Sequence, residues 1–139
     1  MKRYFPVMIF WSLISLLLSC SAGENRHKDE QDSASMKFST TVFNFGIIPS
    51  GSDGSCYFEF TNDSDQPLIV NVVRTSCGCT KPEWPREPIQ PGDSSRIGIT
   101  YNTKIIGNFH KSITVYSNAE NSPVKLFIKG EVKSNKSNT

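Results

Sequence analysis

Short apolar runs alternating with polar residues, turn residues every ten or so positions, and no sustained helical period predict an all-β chain. The expected architecture is an immunoglobulin-like β-sandwich of about seven antiparallel strands. The alternating pattern starts at Met36 and ends near Val132. Thr41-Val42-Phe43-Asn44-Phe45-Gly46 places Phe43 and Phe45 on one face, with Gly46 ending the strand. Pro49 to Gly54 is turn chemistry. Cys56, Phe58 and Phe60 then alternate with Tyr57 and Glu59, and the polar loop from Thr61 to Pro67 returns the chain. Leu68, Val70 and Val72 face one way along the next strand, with Ile69, Asn71 and Val73 on the other side.

A hairpin about Ser64 would set Phe60 opposite Leu68, Phe58 opposite Val70 and Cys56 opposite Val72, so one register buries every apolar side chain. In that register Cys56 lies five residues from Cys77, roughly 16 Å at ~3.3 Å per residue. A disulfide needs Cα atoms within about 7 Å, so Cys56 is expected to be a buried free thiol. Pro82, Pro85, Pro88 and Pro91 make Lys81 to Pro91 a loop that no regular element should cross. Three strands follow, marked by Ile97, Ile99 and Tyr101, by Ile113 and Val115, and by Val124, Leu126 and Ile128. Gly107 closes the loop between the first two, and Ser117 to Pro123 turns the chain into the third.

The chain therefore divides into a leader over 1–19, a tether over 20–35, the sandwich over 36–132 and a polar tail over 133–139. Lys2 and Arg3 precede an apolar run from Phe5 to Leu18 broken only by Pro6, Ser12 and Ser15. This is shorter than the ~20 residues of a spanning helix and has the form of a secretion signal. Leu17-Leu18-Ser19-Cys20 resembles the lipobox of bacterial lipoproteins. The resemblance implies that Cys20 becomes the mature N-terminus and carries the acyl lipid, palmitate among its chains. The expected place is the bacterial cell envelope, with the outer membrane preferred and the face open. More than one acyl chain gives stable anchoring. The tether, rich in Glu, Asp, Asn, Lys and Ser, is a solvated spacer.

Losing Lys2 and Arg3 leaves thirteen basic residues against thirteen acidic ones. This balance, without a basic cluster, argues against nucleic-acid binding. Of four cysteines, the lipid takes Cys20 and leaves Cys56, Cys77 and Cys79. An odd number means that at least one is free, buried, or paired between molecules.

Thr75-Ser76-Cys77-Gly78-Cys79-Thr80 is the stretch with chemistry, since no other segment places two thiols one residue apart. An extended chain would hold the two Cα atoms roughly 6.6–7.2 Å apart, at the limit for a bridge, and Gly78 lets the backbone shorten the gap. The pair is open to three readings: a local staple at the bend from strand to loop, a redox couple, or two thiolates for a soft metal such as Cu(I). No metal or other cofactor is assigned. A closed zinc site wants four ligands, and only distant Cys56 and strand residue His110 remain, with His27 in the tether. Cysteine catalysis needs an oriented base, so no catalytic residue is assigned and a non-enzyme is expected. Trp84, between Pro82 and Pro85, should cap one end of the sandwich with its N–H on a carbonyl. If exposed, it is a candidate partner contact.

Val42-Phe43-Asn44-Phe45-Gly46, Phe58-Glu59-Phe60-Thr61-Asn62, Pro67-Leu68-Ile69-Val70, Ser76-Cys77-Gly78-Cys79-Thr80, Ile89-Gln90-Pro91-Gly92 and Gly107-Asn108-Phe109 together resemble the bacterial "domain of unknown function 1573" family. The resemblance runs from about Phe38 to Val132. It implies a Hydin-type, major-sperm-protein-like immunoglobulin fold common in Bacteroidetes lipoproteins. Cys77 and Cys79 fall on that family's Cys-Gly-Cys motif. No activity follows from it. The expected role is an interaction or structural module with an envelope protein partner, open sheet edges offering strand addition as a binding mode. The alternative is thiol-redox or copper handling through Cys77 and Cys79.

Overall fold

The structure, a computed structural model, describes residues 33–135. The leader, Cys20, most of the tether and residues 136–139 of the tail lie outside the described residues. Eight strands follow in order: β1 (Met36–Phe38), β2 (Val42–Pro49), β3 (Ser55–Asn62), β4 (Val70–Thr75), β5 (Thr80–Glu83), β6 (Ser94–Tyr101), β7 (Gly107–Ser117) and β8 (Val124–Lys133). They form two four-stranded sheets, ordered β1-β3-β6-β5 and β2-β8-β7-β4. The sandwich expected from the alternation is the observed fold, with one strand more than the seven counted.

The core lies between the sheets. Phe58, Phe60, Ile97 and Ile99 enter it from one side, and Ile113, Val115, Leu126 and Ile128 from the other, all essentially removed from solvent. Each pair is two residues apart, as a strand with one buried face requires. An aromatic cluster closes one end, with Tyr101 stacked on Phe109 at 4.0 Å and Phe45 5.8 Å from Phe109.

The hairpin expected about Ser64 does not form. β3 is paired on both sides, by β1 through Phe38 opposite Phe60 and by β6 through Phe58 opposite Ile97. Cys56 faces Ile99 instead of Val72. β4 crosses to the other sheet and pairs with β7. Asn62, fully buried, sets this crossing. Its Nδ2 donates to the Gln66 and Ile89 carbonyls at 2.7 and 2.9 Å, while its Oδ1 accepts from Ser64 Oγ at 2.6 Å. Leu68 then exchanges two backbone bonds with Ile89, and the chain departs toward the second sheet.

Four smaller expectations are corrected. A bulge between Val70 and Val72 reverses the alternation, so that Val73 is buried and Val72 only half-buried. Gly46, with φ at 66°, is a bulge inside β2 and not its end; a Cβ at Gly130 would come within 2.9 Å of its carbonyl oxygen. β2 runs parallel to β8, so the strands are not all antiparallel. Pro82 lies within β5, an edge strand, where a missing N–H leaves no ladder bond unmade. The packed structure also reaches into the tether, since Ala34 is buried and bridges Ala119.

The Asn62 network is expected to carry a measurable share of stability. Asn62→Ala removes three hydrogen bonds from a buried site, although the Ile89 carbonyl keeps the Leu68 N–H and the Gln66 carbonyl the Ser64 hydroxyl, and should lower the unfolding free energy by about 2–4 kcal/mol. Urea denaturation checks this, and a loss below about 0.5 kcal/mol, the size of an ordinary surface change, would remove Asn62 from that role.

Candidate functional site

The Cys77–Cys79 loop is the return crossing. It carries the chain from β4, at the edge of one sheet, to β5, at the edge of the other. The two sulfurs are bonded to each other, with Cα atoms 5.3 Å apart. Gly78 reaches this spacing without a left-handed backbone, and a side chain there would meet open space. Cys77 and Cys79 are half-buried and Gly78 is exposed. Cys79 packs against the core, whereas Cys77 stands outside it.

Hydrogen bonds that involve no sulfur hold the loop. Thr75 Oγ1 donates within reach of both the Cys77 and Thr80 carbonyls, at 2.9 and 3.2 Å. Ser76 N–H donates to the Ser112 carbonyl and Ser76 Oγ accepts from Ser112 N–H, tying the loop to β7. Asn102 N–H donates to the Cys79 carbonyl at 2.9 Å, tying it to the β6–β7 loop. Thr80, only 3% exposed, sets its hydroxyl 3.6 Å from Cys77 Sγ and 3.9 Å from Cys79 Sγ. Neither threonine carried a signal in the sequence beyond flanking the motif.

The remaining candidates are elsewhere. Cys56 is a buried free thiol, as expected, although the hairpin used to place it was wrong. Burial pushes its pKa up to about 12, so it does not attack the bridge. His110 is exposed on β7 with its ring stacked on Phe127. Among the described residues, no group of three His, Cys, Asp or Glu is placed to hold a metal ion. Joined to each other, Cys77 and Cys79 offer no thiolate donors in this state.

Trp84 is half-buried against the core, but the expected carbonyl is missing: its Nε1 is buried with no hydrogen-bond partner. The Arg86 guanidinium covers its ring at 4.0 Å. Beside it, Tyr57, Glu83, Arg96 and Gly98 line a shallow depression on the outer sheet face, with Arg96 over the Tyr57 ring at 4.3 Å.

Of the seven large apolar residues exposed among the described residues, three lie near the point where the chain enters β7, the others being Val42, Tyr57, Ile69 and Tyr116. Ile105 and Ile106 are 45% and 54% exposed in the 102–106 loop, and Ile47 on β2 is 64% exposed. Ile48 and Gly107 both register against Val132, so these isoleucines border the same end of one sheet. This end also carries the Cys77–Cys79 loop, through Asn102. Ile105-Ile106 inside a loop was a readable signal that the alternation argument passed over.

A two-sheet β-sandwich with crossings at both ends defines an immunoglobulin-like protein. It resembles a protein of unknown function from Porphyromonas gingivalis W83, with a TM-score of 0.65 and 19% identity over 72% of this chain. The chain spans about half of that protein, 47% of its length. It is similar also to PapD-like domain 7 of human CEP192, with a TM-score of 0.62 and 8% identity over 74% of this chain and 88% of that one. A third likeness is to the VesB protease of Vibrio cholerae, with a TM-score of 0.52 and 13% identity over 74% of this chain and 32% of that one. At these identities the likeness is one of fold. No curated protein matches the chain. Residues 36–132 match the family described as "Protein of unknown function (DUF1573)", and the chain belongs to it.

Chain-entropy arithmetic for a three-residue loop makes the bridge worth roughly 1.6 kcal/mol, against about 3 for a 15-residue loop. Changing Cys77 and Cys79 together to Ser should therefore cost about 1–2 kcal/mol in urea and leave a folded domain. Cys56 should resist alkylation at pH 8 until the protein is unfolded. Its thiol ionises near 9.0 when unfolded and at about 12 when folded. The native state therefore keeps a proton that the unfolded state loses, and stability should fall as pH rises from 9 toward 12. A Cys56→Ala variant with the same pH slope would assign that fall to another group.

Proposed function

We propose that this chain is a lipid-anchored, non-enzymatic module of the bacterial envelope that binds a protein partner through the Ile47, Ile105 and Ile106 end of its sandwich. The observation that carries the binding reading is the clustering of large exposed apolar side chains at that end. Scattered apolar residues are ordinary on a surface, whereas large exposed ones gathered at one end of a sheet support an interaction site there. Here Lys104, Asn108 and Lys133 supply the polar border. The neighbouring edge is partly closed, because Thr40 Oγ1 bonds both the amide and the carbonyl of Val42. Strand addition on that part of β2 would first have to displace Thr40.

Anchoring is supported by Leu17-Leu18-Ser19-Cys20 and by the polar stretch that follows it. In this reading, residues 1–19 are removed, Cys20 carries the lipid, the tether spaces the sandwich from the membrane and the polar tail ends the chain. The outer membrane is the proposed site. Balanced charge leaves attachment to the lipid and excludes a polybasic contribution.

Two measurements test the two halves separately. Cys20→Ala should move the protein from the membrane fraction to the soluble fraction and abolish incorporation of labelled palmitate; a membrane-bound variant would reject the anchor. Ile47→Ser, Ile105→Ser and Ile106→Ser combined should lower the yield of partner crosslinked in whole cells at least tenfold. Stability should stay within about 0.5 kcal/mol, as surface changes do. Unchanged crosslinking would place the contact elsewhere, with the Trp84 and Tyr57 face tested next.

A further inference from the structure

We propose that the Cys77–Cys79 bridge is a thiol–disulfide exchange site, which takes two electrons from the dithiol of a partner protein while its loop stays folded. Four observations carry this. The bridge spans one residue, so it constrains little of the unfolded chain. The loop is held by bonds from Thr75, Ser76, Asn102 and Ser112 that do not pass through sulfur, so the fold does not need the bridge to keep the loop in place. The outer side is open: Gly78 is exposed, and nothing lies within 4 Å of where its Cβ would be. The cysteines on either side of Gly78 are only half-buried, and a bridge that solvent can reach is more labile than one sealed in a core. Finally, the other thiol of the domain is withdrawn, because Cys56 is buried on β3 and cannot reshuffle with the pair.

The two sulfurs are not equivalent. Cys79 packs against the core and Cys77 does not, so an incoming thiolate meets Cys77 Sγ. That attack forms a bond between the partner and Cys77 and breaks the bond to Cys79, which leaves as a thiolate and takes a proton from solvent. The buried Thr80 hydroxyl, 3.6 Å from Cys77 Sγ and 3.9 Å from Cys79 Sγ, is within reach of each thiolate as it forms. The partner's second thiol, deprotonated, then attacks the partner's own sulfur in the mixed disulfide. Cys77 is released as a thiolate and is protonated in turn. The partner has lost two electrons and two protons and holds a disulfide; this chain has gained both and holds two thiols.

The chemistry stands apart from the interaction reading, because small thiols report on it without any docking. The full lipidated chain, in detergent micelles, is equilibrated with a mainly reduced glutathione buffer and alkylated without denaturant. The expected mass shows alkylation at Cys77 and Cys79 only, with the native circular dichroism kept; adding denaturant adds Cys56. A bridge that stays oxidised until denaturant is present would overturn the proposal, as would reduction that proceeds only with loss of the native spectrum. The order of attack is read from single variants incubated with oxidised glutathione. Cys79→Ser, which leaves Cys77, should form its mixed disulfide at least tenfold faster than Cys77→Ser, which leaves Cys79. Equal or inverted rates would overturn the assignment of Cys77 as the sulfur attacked.

Discussion

One buried amide sets the path of this chain. Asn62 ends β3 with no exposed surface, yet its side chain has three polar partners and its backbone two more, at Gly92 and Asp93. A buried amide without partners would cost the free energy of several lost hydrogen bonds. Only a loop that brings the Gln66 and Ile89 carbonyls and the Ser64 hydroxyl inward satisfies it. That loop cannot also be a tight hairpin back along β3, whose two sides are already taken by β1 and β6. The chain must leave the first sheet at this point and cross.

Once β4 has crossed, it lies at the edge of the second sheet, and the chain must come back. The Cys77–Cys79 loop is that return, landing on β5 at the edge of the first sheet. The two crossings solve one problem in different ways. The first satisfies its polar groups with a single buried side chain. The second uses an exposed loop whose hydroxyls and amides reach β7 and the β6–β7 loop. Its position on the surface leaves it accessible, and the neighbouring isoleucines share that exposure.

Much of this was legible because alternation reports which side chains face inward. It does not report which strand lies alongside. In a sandwich both sheets face one core, so two consecutive strands with matching apolar faces look alike whether they pair with each other or face each other. The false hairpin between β3 and β4 has that origin. Parity along a strand is also invisible when a bulge intervenes: nothing in Val70-Asn71-Val72-Val73 announces that Val73 is the inward residue. Pro82 excluded a central strand, and the error was to extend that exclusion to an edge. At the site, the paired cysteines were visible as a motif and the open choice among their readings was not. Thr75 and Thr80 flank the motif as ordinary strand residues, and their contacts exist only because two sheets meet there. The carbonyl expected for Trp84 is missing, since a local reading places the ring but not the acceptors around its edge.

The stability of the domain resides in its core, which holds nineteen buried apolar residues among the described residues. At roughly 1.5–3 kcal/mol for each large side chain, before the opposing conformational entropy, that gross gain far exceeds anything a three-residue covalent ring supplies. A bridge meant as a staple would join segments far apart in sequence, where loop closure costs most. Cys56, the other cysteine among the described residues, is a buried free thiol on β3 and takes no part in such a link. The covalent bond instead joins two residues whose backbone is already fixed by neighbours. Its removal then changes the chemistry of an exposed loop far more than it changes the fold, and this separation is what a domain needs if its sulfurs are to react while its core stays closed.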